Sequence, residues 1–439
     1  MSVDGGAGAY AGGRGVAMTS LARRSAARIG RFFLDPGQVL GLVLLAALVA
    51  RAIWLTLPDH SLIFDETYYV NAARVILGWH VPAGSPYAGS PPGLDPNSEH
   101  PPLGKALIAL SMLIFGDNGL GWRLPSVIAG MVALLALYGI VRAAGEGAWL
   151  GVLATALFAF DNLVLVHSRI GTLDILFLAP VLVGAWLALR ERWVAAGVAL
   201  AIGSLMKLTA AFGLGAVVAL QLIEVLVAWR RARRVDLTDL RPLAVLLSAF
   251  AVVAIGGLWL LDLRFSTYHN PWDHLQHMVS YGTGLTNGGS PSGIASDPWQ
   301  WLVNQVQINY LQVDVNTLVN GKVVASHPSI AFIGALNPVL LAALPLAAPF
   351  ALWLALRQGS RLALWSIVWG GVNYLPYYPL ALLDHRIVYL YYMLPFVPAL
   401  AVAVALLLLR ARLPGVVAWG YLAAFALAFA AYFPFRQIP

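Results

Sequence analysis

The feature that most constrains this chain is a long series of apolar runs. Of its 439 residues, 60% are hydrophobic and only 11% are charged, whereas an average soluble domain is nearer half apolar and one-quarter charged. Many of the runs approach the roughly 20 residues that a helix needs to cross the hydrocarbon core of a bilayer. The sequence therefore predicts an all-α integral membrane protein, with no stretch left for a large soluble domain.

Basic residues predict the orientation of the spans. Arg23 to Arg31 precede the first run, which puts its start in the cytoplasm and residues 58 onward outside. The next apolar run, 103–116, is short for a span and suits a helix lying at the interface. If it does not cross, the later arginine groups, including RRARR at 230–234, fall on the cytoplasmic side. About eleven spans are then predicted, at residues 38–57, 124–143, 149–166, 175–189, 193–208, 210–228, 242–261, 330–356, 363–380, 388–409 and 414–433.

The spans divide the chain into four predicted parts. Residues 1–36 form a basic cytoplasmic tail, and residues 37–261 a first transmembrane module with an external loop at 58–123. Residues 262–329 form a long external loop, and residues 330–439 the last transmembrane helices. The net charge of +7 follows from positive residues at cytoplasmic helix ends rather than from one basic patch, which argues against a nucleic-acid partner. The absence of cysteine excludes disulfides and thiolate metal sites.

Two adjacent acids, Asp65 and Glu66, follow the first predicted span. Neighbouring side chains on a helix point in different directions, so one carboxylate can enter a cavity while the other caps the helix or forms a pair. Burial near the membrane surface raises the pKa of a carboxylate towards the range that suits a general base. The structural alternative is an N-cap, because acids favour a helix N-terminus and Asp65 directly precedes the helical pattern ETYYVNAARVILG.

A second acid stands beside an imidazole in Glu99-His100-Pro101-Pro102. Each proline restricts its own φ and the residue before it, so the turn holds Glu99 and His100 in set directions. Together they suit a divalent cation such as Mg²⁺, Mn²⁺ or Zn²⁺, or an acid/base pair. A solvated turn before a helix is the alternative.

Several cations are predicted at or near the external face. They are Lys105, Arg123, Arg169, Lys207 and Arg386. Charge at this depth is costly and is therefore a candidate for function, and both residue types suit a phosphate at headgroup level. For any single one, snorkelling of a long side chain is the alternative. Asp174 lies five residues beyond Arg169, and a simple pairing between these two is a further alternative.

The long external loop carries aromatic and glycine-rich segments. Its segment GTGLTNGGSPSGIAS, residues 282–296, is expected to form a mobile lid or an acceptor-binding loop. Trp299 and Trp301, in SDPWQWL, suit either an aromatic belt at the membrane interface or a surface that stacks against sugars.

Motifs along the chain resemble those of a known family. They are FDETYYVNAARVILG, EHPPLGK, FGDNGLGWRLPS, HSRIGTLDILFL, SLMKLTAAFGL, SDPWQW and HRIVYLYYMLPFVP. In this order, between residue 64 and about residue 400, they resemble the protein O-mannosyltransferases, and more broadly the GT-C glycosyltransferases that use polyprenyl-phosphate sugars. The resemblance implies a GT-C-type bundle of about eleven transmembrane helices, with external juxtamembrane helices in the first loop and the active site on the external face of the cell membrane.

The resemblance also implies an activity and its partners. The reaction is an inverting transfer of mannose from a polyprenyl-phosphate carrier to Ser or Thr hydroxyls. The acceptor is a secreted or membrane protein, met in some cases at the export machinery. Two departures from the family pattern concern the acceptor. The sugar-binding-like domain that eukaryotic members insert in the long loop is absent, and Tyr391 stands where a histidine is common.

Site residues follow from the matching motif positions. Asp65 is the expected general base with Glu66 beside it, and Arg123 is expected to hold the carrier phosphate. Glu99 matches a glutamate that, in related aminoarabinose transferases, lies by a metal and the carrier phosphate, with His100 next to it. The supporting phosphate ligands are then Lys105, Arg169, Lys207 and Arg386. The residues expected to contact sugar or acceptor are Asp174, Trp299, Trp301 and Tyr391.

Two other functions are compatible with parts of this pattern. The first keeps the chemistry and changes the acceptor to a lipid or a cell-wall glycan. The second is a lipid or sugar transporter, which predicts ionisable residues near the middle of the membrane and a pair of broken helices in matching halves. The charges of this chain are predicted at one face instead, which favours the transferase.

Overall fold

A computed structural model describes residues 35–58, 61–286 and 293–433, without the side chains of residue 315 and residues 327–331. The predicted basic tail lies almost entirely outside the described residues. So does the centre of the glycine-rich segment, at 287–292.

The first half of the described chain is helical. Its helices are α1 (Pro36–Ala52), α2 (Glu66–Leu77), α3 (Leu103–Phe115), α4 (Gly119–Ala143), α5 (Ala148–Ala159), α6 (Asn162–His167), α7 (Leu173–Leu189), α8 (Trp193–Ser204), α9 (Ala210–Ala232) and α10 (Arg241–Phe265). A 3₁₀ turn, Leu237–Leu240, leads directly into α10.

The second half contains two strands as well as helices. Its elements are α11 (Pro271–Gly284), α12 (Pro298–Trp301), β1 (Ile308–Val319), β2 (Lys322–Gly334), α13 (Pro338–Ala342), α14 (Leu344–Gln358), α15 (Arg361–Tyr374), α16 (Tyr377–Leu382), a 3₁₀ segment (Leu390–Phe396), α17 (Val397–Arg410) and α18 (Gly415–Tyr432). The chain is thus mainly helical, as predicted, but not purely so.

Hydropathy predicts the positions of the helices well. Five helical stretches among the described residues are long and apolar enough to cross a membrane: Gly119–Ala143, Ala210–Ala232, Leu237–Phe265, Leu390–Arg410 and Gly415–Tyr432. Further apolar helices of 10 to 17 residues coincide with other predicted spans, and within the predicted span 149–166 the chain forms two helices, α5 and α6. The protein is therefore a multi-pass membrane protein, and the exact count of spans stays a prediction.

The segment 103–116 forms α3, a helix of 13 residues. At about 1.5 Å per residue it is roughly 20 Å long, shorter than the roughly 30 Å of the hydrocarbon core. This length agrees with a helix that does not cross, and its placement relative to a membrane stays a prediction.

A β-hairpin occupies part of the predicted external loop, residues 262–329. β1 and β2 pair antiparallel from Ile308 opposite Gly334 to Val319 opposite Lys322. Asn320 and Gly321 form its turn with φ values of 52° and 74°, which is the left-handed geometry of the tight hairpin turns that match strand twist. The predicted span 330–356 was therefore wrong at its start, because β2 continues to Gly334 and the next helix begins only at Pro338.

Burial differs sharply between the helices of the bundle. Within the stretch Leu390–Arg410, 83% of the most apolar 18-residue segment is buried inside the protein. The corresponding share is 11% for Leu237–Phe265 and 6% for α18. α17 packs against α5, α14 and α15, and α4 packs against α3, α5 and α7. The apolar outer faces of α10 and α18 suit contact with lipid, where the helix itself must satisfy its backbone polar groups.

Polar side chains hold the outermost helix. The amide of Asn162 donates to the carbonyl of Phe429 at 3.2 Å, and that of Asn337 donates to the carbonyl of Phe425 at 3.1 Å. In the other direction, the Tyr421 hydroxyl donates to the carbonyl of Val339 at 3.1 Å. α18 is thus attached to the bundle mainly through main-chain carbonyls.

Arginine groups meet at one end of the bundle. Arg410 pairs with Glu146, and Arg142 donates to the Glu146 carbonyl. At the same end, Arg361 forms a bidentate pair with Glu224. Arg123, near the start of α4, lies about 30 Å from Arg142 along the axis of that helix. The two ends of the bundle therefore differ, and the candidate site lies at the end away from these groups.

Candidate active site

A cavity of about 550 Å³ opens at the end of the bundle that carries loop one. Its wall combines the start of α2, the turn at residues 97–100, the Lys207 region, α11 and the 3₁₀ segment. Several of the predicted site residues line it together: Asp65, Glu99, His100, Lys207, Arg386 and Tyr391. Residues far apart in sequence thus converge on one space.

Asp65 lies at the N-cap position of α2, but its carboxylate makes no capping hydrogen bond. The side chain lines the cavity instead. Burial raises the pKa of Asp65 to about 7, while the nearby Lys207 lowers it and Asp174 raises it. A carboxylate that titrates near neutrality and makes no capping hydrogen bond fits the requirements of a general base.

Glu66 points the opposite way and is fully buried. Its carboxylate receives two hydrogen bonds from Arg123, from Nε at 2.8 Å and from Nη2 at 3.0 Å. It also accepts from the backbone N–H groups of Ile63 and Gly171, each at 2.7 Å. The pair therefore joins loop one to the turn before α7, and Glu66 has no access to the cavity.

Arg123 is committed to the same buried arrangement, with 1% of its surface exposed. Besides Glu66 it donates to the carbonyls of Leu55, at 2.8 Å, and Ser61, at 3.0 Å. Gly119 permits this close approach, because a Cβ there would lie 2.9 Å from Thr56 Cα and 3.1 Å from Arg123 Nη1. The geometry gives no support to the predicted contact between Arg123 and a carrier phosphate.

Lys105 and Arg169 are also buried behind the cavity wall. Lys105 Nζ lies 2.6 Å from Asp95 Oδ2 and donates to the carbonyl of His100 at 2.7 Å. Arg169 donates to the carbonyls of Ala50 and Ile53 at the end of α1. Both cations therefore fasten loops to helices, and their predicted role as phosphate ligands likewise has no geometric support.

Lys207 faces the cavity but is partly neutralised. Its ammonium donates to Asp174 Oδ1 at 2.7 Å and lies 5.4 Å from the centre of the Tyr391 ring. Asp174 thus pairs with Lys207, so the alternative pairing with Arg169 was wrong. Beneath the pair, His167 Nδ1 lies 3.7 Å from Asp174 Oδ2, and His167 Nε2 is hydrogen-bonded to the Tyr310 hydroxyl at 2.8 Å.

The sequence reading missed Tyr310 as a neighbour of the site. It lies on β1, and its ring centre is 4.3 Å from that of Phe64, the residue before Asp65. The hairpin therefore contacts Phe64, a residue that lines the cavity, from outside the cavity. The sequence signal was present in Asn320-Gly321 between two runs rich in β-branched residues.

Arg386 is the cavity cation with the freest charge. Its Nε donates to the carbonyl of Gly282 at 2.5 Å, and its guanidinium lies 5.9 Å from the centre of the Tyr392 ring. In the described part of the chain no carboxylate lies within ion-pair distance of it, and the side chain is only half-buried. Arg386 thus presents a full positive charge to the cavity.

The two tryptophans of the SDPWQWL segment, Trp299 and Trp301, do not line the cavity. Trp301 is buried, donates to the carbonyl of Ser296 at 3.1 Å and packs against Tyr377 and Tyr392. Trp299 is 43% exposed and lies beside Tyr378. Trp301 therefore belongs to the core that supports the tyrosines of the cavity, and the predicted sugar contact has no support in its position.

The predicted metal pair offers an incomplete ligand set. Burial, with the positive charges of Lys207, Lys105 and Arg386, holds the pKa of His100 well below its usual value, so the ring is neutral. However, no group of three or more His, Asp or Glu side chains among the described residues is arranged to hold a metal ion. Glu99 and His100 would supply only two protein ligands.

Comparison with known proteins agrees with this architecture. A profile of the family described as dolichyl-phosphate-mannose-protein mannosyltransferase matches residues 99–259. A polyprenol-phosphate-mannose–protein mannosyltransferase of Mycobacterium tuberculosis is 36% identical over 138 residues, which are 31% of this chain and 25% of the relative. The match therefore spans about a quarter of the length of that relative.

Solved structures extend the similarity to nearly the whole chain. The Saccharomyces cerevisiae protein O-mannosyltransferase Pmt1-Pmt2 complex bound to the sugar donor gives a TM-score of 0.64 at 11% identity, covering 91% of this chain and 90% of that one. ArnT from Cupriavidus metallidurans in the apo state gives 0.55 at 18% identity, covering 93% and 64%. At these identities the similarity shows the fold alone, which this chain shares with both membrane proteins over most of its length.

Proposed function

We propose that this chain, which resembles the protein O-mannosyltransferases in sequence motifs and in fold, transfers mannose from a polyprenyl-phosphate carrier to Ser or Thr hydroxyls of exported proteins. The observation that carries the proposal is the cavity in which Asp65 lies near Lys207 and Arg386. It combines one carboxylate suited to take a proton with cations suited to a phosphate. The partial match to the relatives named above supports mannose as the sugar.

Proton transfer falls to Asp65. The acceptor hydroxyl loses its proton to this carboxylate as its oxygen bonds to the anomeric carbon. The carbon–oxygen bond to the carrier phosphate breaks on the opposite face, so the configuration inverts. A base positioned in this way typically contributes about 10²- to 10⁴-fold to the rate.

The leaving group is a phosphate, and cations stabilise its charge. Arg386 is the best placed, because no carboxylate of the described residues pairs with its guanidinium and because the planar guanidinium can donate two parallel hydrogen bonds to phosphate oxygens. Lys207 stabilises the phosphate less, because the nearby carboxylate of Asp174 partly neutralises its positive charge. Stabilising charge that develops in the transition state is usually the largest single catalytic effect.

The difference in arginine content between the two ends of the bundle supports one orientation in the membrane. We place the arginine groups around Arg142, Arg361 and Arg410 in the cytoplasm and the cavity on the external face of the cell membrane, with the N-terminus cytoplasmic. The chain has no cysteine, so single cysteines can be mapped directly. Ala88→Cys, near the cavity, should react with an impermeant maleimide in intact cells, and Gln358→Cys, at the arginine end, should react only after lysis. The reverse pattern would contradict the assigned orientation.

The activity is tested with purified protein in lipid nanodiscs and a polyprenyl-phosphate donor carrying radiolabelled mannose. Label should enter a Ser/Thr-rich peptide, and β-elimination should release it as mannose. The same peptide with alanine at every Ser and Thr is the control. Transfer into added lipid or glycan but not into peptide would overturn the protein acceptor and favour the alternative acceptor.

A further inference from the structure

A buried acid–histidine pair lies behind the cavity wall. Asp262, in the last turn of α10, and His274, in the first half of α11, are both almost fully inaccessible. Their side chains meet at 2.6 Å, between His274 Nδ1 and Asp262 Oδ1. Neither residue lines the cavity or takes part in the proposed chemistry.

The second ring nitrogen of His274 reaches loop one. Its Nε2 lies 2.9 Å from the carbonyl oxygen of Ser98, the residue directly before Glu99. A backbone carbonyl can only accept a hydrogen bond, so Nε2 carries a proton. The short contact between Nδ1 and Asp262 Oδ1 also holds one proton. The ring therefore has a hydrogen-bond partner at each nitrogen, and the partner at Nε2 requires a proton on that atom.

The surroundings keep this ring in place. The ring of Tyr268 stacks on that of His274, with centres 4.5 Å apart and planes 3° from parallel. Loop one is also attached to the end of α10, because the backbone N–H of Asp95 donates to the carbonyl of Phe265 at 2.6 Å. The hydrogen bonds at both ring nitrogens, together with this stacking, fix the direction of the ring.

We propose that Asp262 and His274 are positioning residues that fix the Ser98–Glu99 peptide, and with it the direction in which Glu99 enters the cavity. His274 acts on loop one from α11, and α11 itself forms part of the opposite wall through Met278 and Tyr281. The pair thus sets the spacing between two walls of the cavity. Its catalytic consequence rests on the proposed function, whereas its geometry and its protonation do not.

The protonation is tested by solid-state NMR on protein with ¹⁵N-labelled histidine rings. The signals of His274, identified by their loss in His274→Ala, should show a bonded proton on Nε2, the atom that faces the Ser98 carbonyl. A ring whose Nε2 carries no proton would overturn the proposal. Hydrogen exchange should also rise in the peptide that contains residues 95–101 when His274 is replaced by alanine, and should not rise with His269→Ala, a matched change at an exposed histidine nearby.

The positioning role is tested by kinetics in four variants. His274→Ala should lower kcat at least 10-fold with a smaller change in the donor KM, and His269→Ala should leave both unchanged. Asp262→Asn should be milder, because an amide N–H can donate to Nδ1 and leave the Nε2 proton on the Ser98 carbonyl. Added imidazole should restore part of the activity of His274→Gly.

The outcomes separate the two proposals. Equal losses in Asp262→Asn and His274→Ala that follow a common fall in melting temperature, without rescue by imidazole, would reduce the pair to a purely structural role and overturn the inference. No transfer activity in the unmodified protein would instead contradict the proposed function. The NMR and exchange results would still decide whether His274 holds the Ser98–Glu99 peptide in place.

Discussion

Asp65 and Glu66 are adjacent in the chain and lie in two contrasting regions of the molecule. Asp65 lines an open cavity and makes no capping hydrogen bond, whereas Glu66 is buried with four hydrogen bonds from Arg123, Ile63 and Gly171. The same contrast separates the cations, because Arg386 faces the cavity and Lys105 is buried on Asp95. One region keeps its charges available, and the other uses them to hold loops in place.

The contrast shows why charge near a membrane surface is ambiguous evidence for function. A buried pair is costly to assemble and contributes little net stability, but removing one partner leaves an uncompensated charge. A cavity charge has the opposite property, because its removal barely affects folding and directly affects the ligand. Substitutions in the two regions should therefore separate activity from stability.

The largest effect on activity is expected for Asp65→Asn. The amide is nearly the same size and cannot accept the proton, so transfer should fall about 10²- to 10⁴-fold, while the melting temperature in detergent stays close to that of the parent. Initial rates with a labelled donor and a Ser/Thr peptide measure the first quantity. Near-normal turnover would remove Asp65 as the base.

The largest effect on stability is expected for Glu66→Gln. It leaves the buried charge of Arg123 without its carboxylate, which costs about 3–5 kcal/mol and should lower both expression and melting temperature. Adding Arg123→Met to the same chain removes the orphaned charge and should recover part of the loss. Similar stability in Glu66→Gln and the parent would mean that the pair is not formed.

A smaller effect is expected at Arg386. Loss of a charge-assisted hydrogen bond to phosphate costs about 1.5–3 kcal/mol, so Arg386→Gln should weaken donor use roughly 10- to 150-fold, and Arg386→Lys should retain part of it. Arg123→Lys is the contrast, because there the loss should appear in the melting temperature. A normal donor KM and rate in Arg386→Gln would contradict its role.

The pH dependence gives the smallest and most specific test. Burial raises the pKa of Asp65 to about 7, and only the ionised form can take a proton. Below that value the rate should fall up to tenfold per pH unit, and above it the rate should level off. Measurement of kcat/KM between pH 5 and 9, with the melting temperature followed in parallel, would show the step. A flat profile across neutrality would contradict the assignment.

Much of the fold follows from sequence because hydropathy and helix length are local properties. The positions of most apolar helices, the shortness of α3 and the different directions of Asp65 and Glu66 agree with the predictions, whereas the start of the predicted span 330–356 was wrong. The hairpin was missed because its strands lie in a polar, aromatic region that was read as loop. There Asn320-Gly321 was the only strong local signal, and the partner contact through Tyr310 is far away in sequence.

The candidate site could be predicted only in part, because spacing along the chain does not show which way a cation points. Lys105 and Lys207 both belong to motifs that suggest phosphate binding. However, Lys105 pairs with Asp95 in the interior, whereas Lys207 pairs with Asp174 at the cavity. Sequence offered no means to foresee either partner. The roles of the residues that line the cavity stay predictions.

The attachment of α18 has a consequence for sequence drift. Asn162 and Asn337 grip carbonyl oxygens of this helix, and every residue type carries such an oxygen. The grip therefore places no demand on the identity of the residues that provide it. Substitution of one apolar side chain for another in α18 should therefore leave these two hydrogen bonds intact, as long as Asn162 and Asn337 are retained.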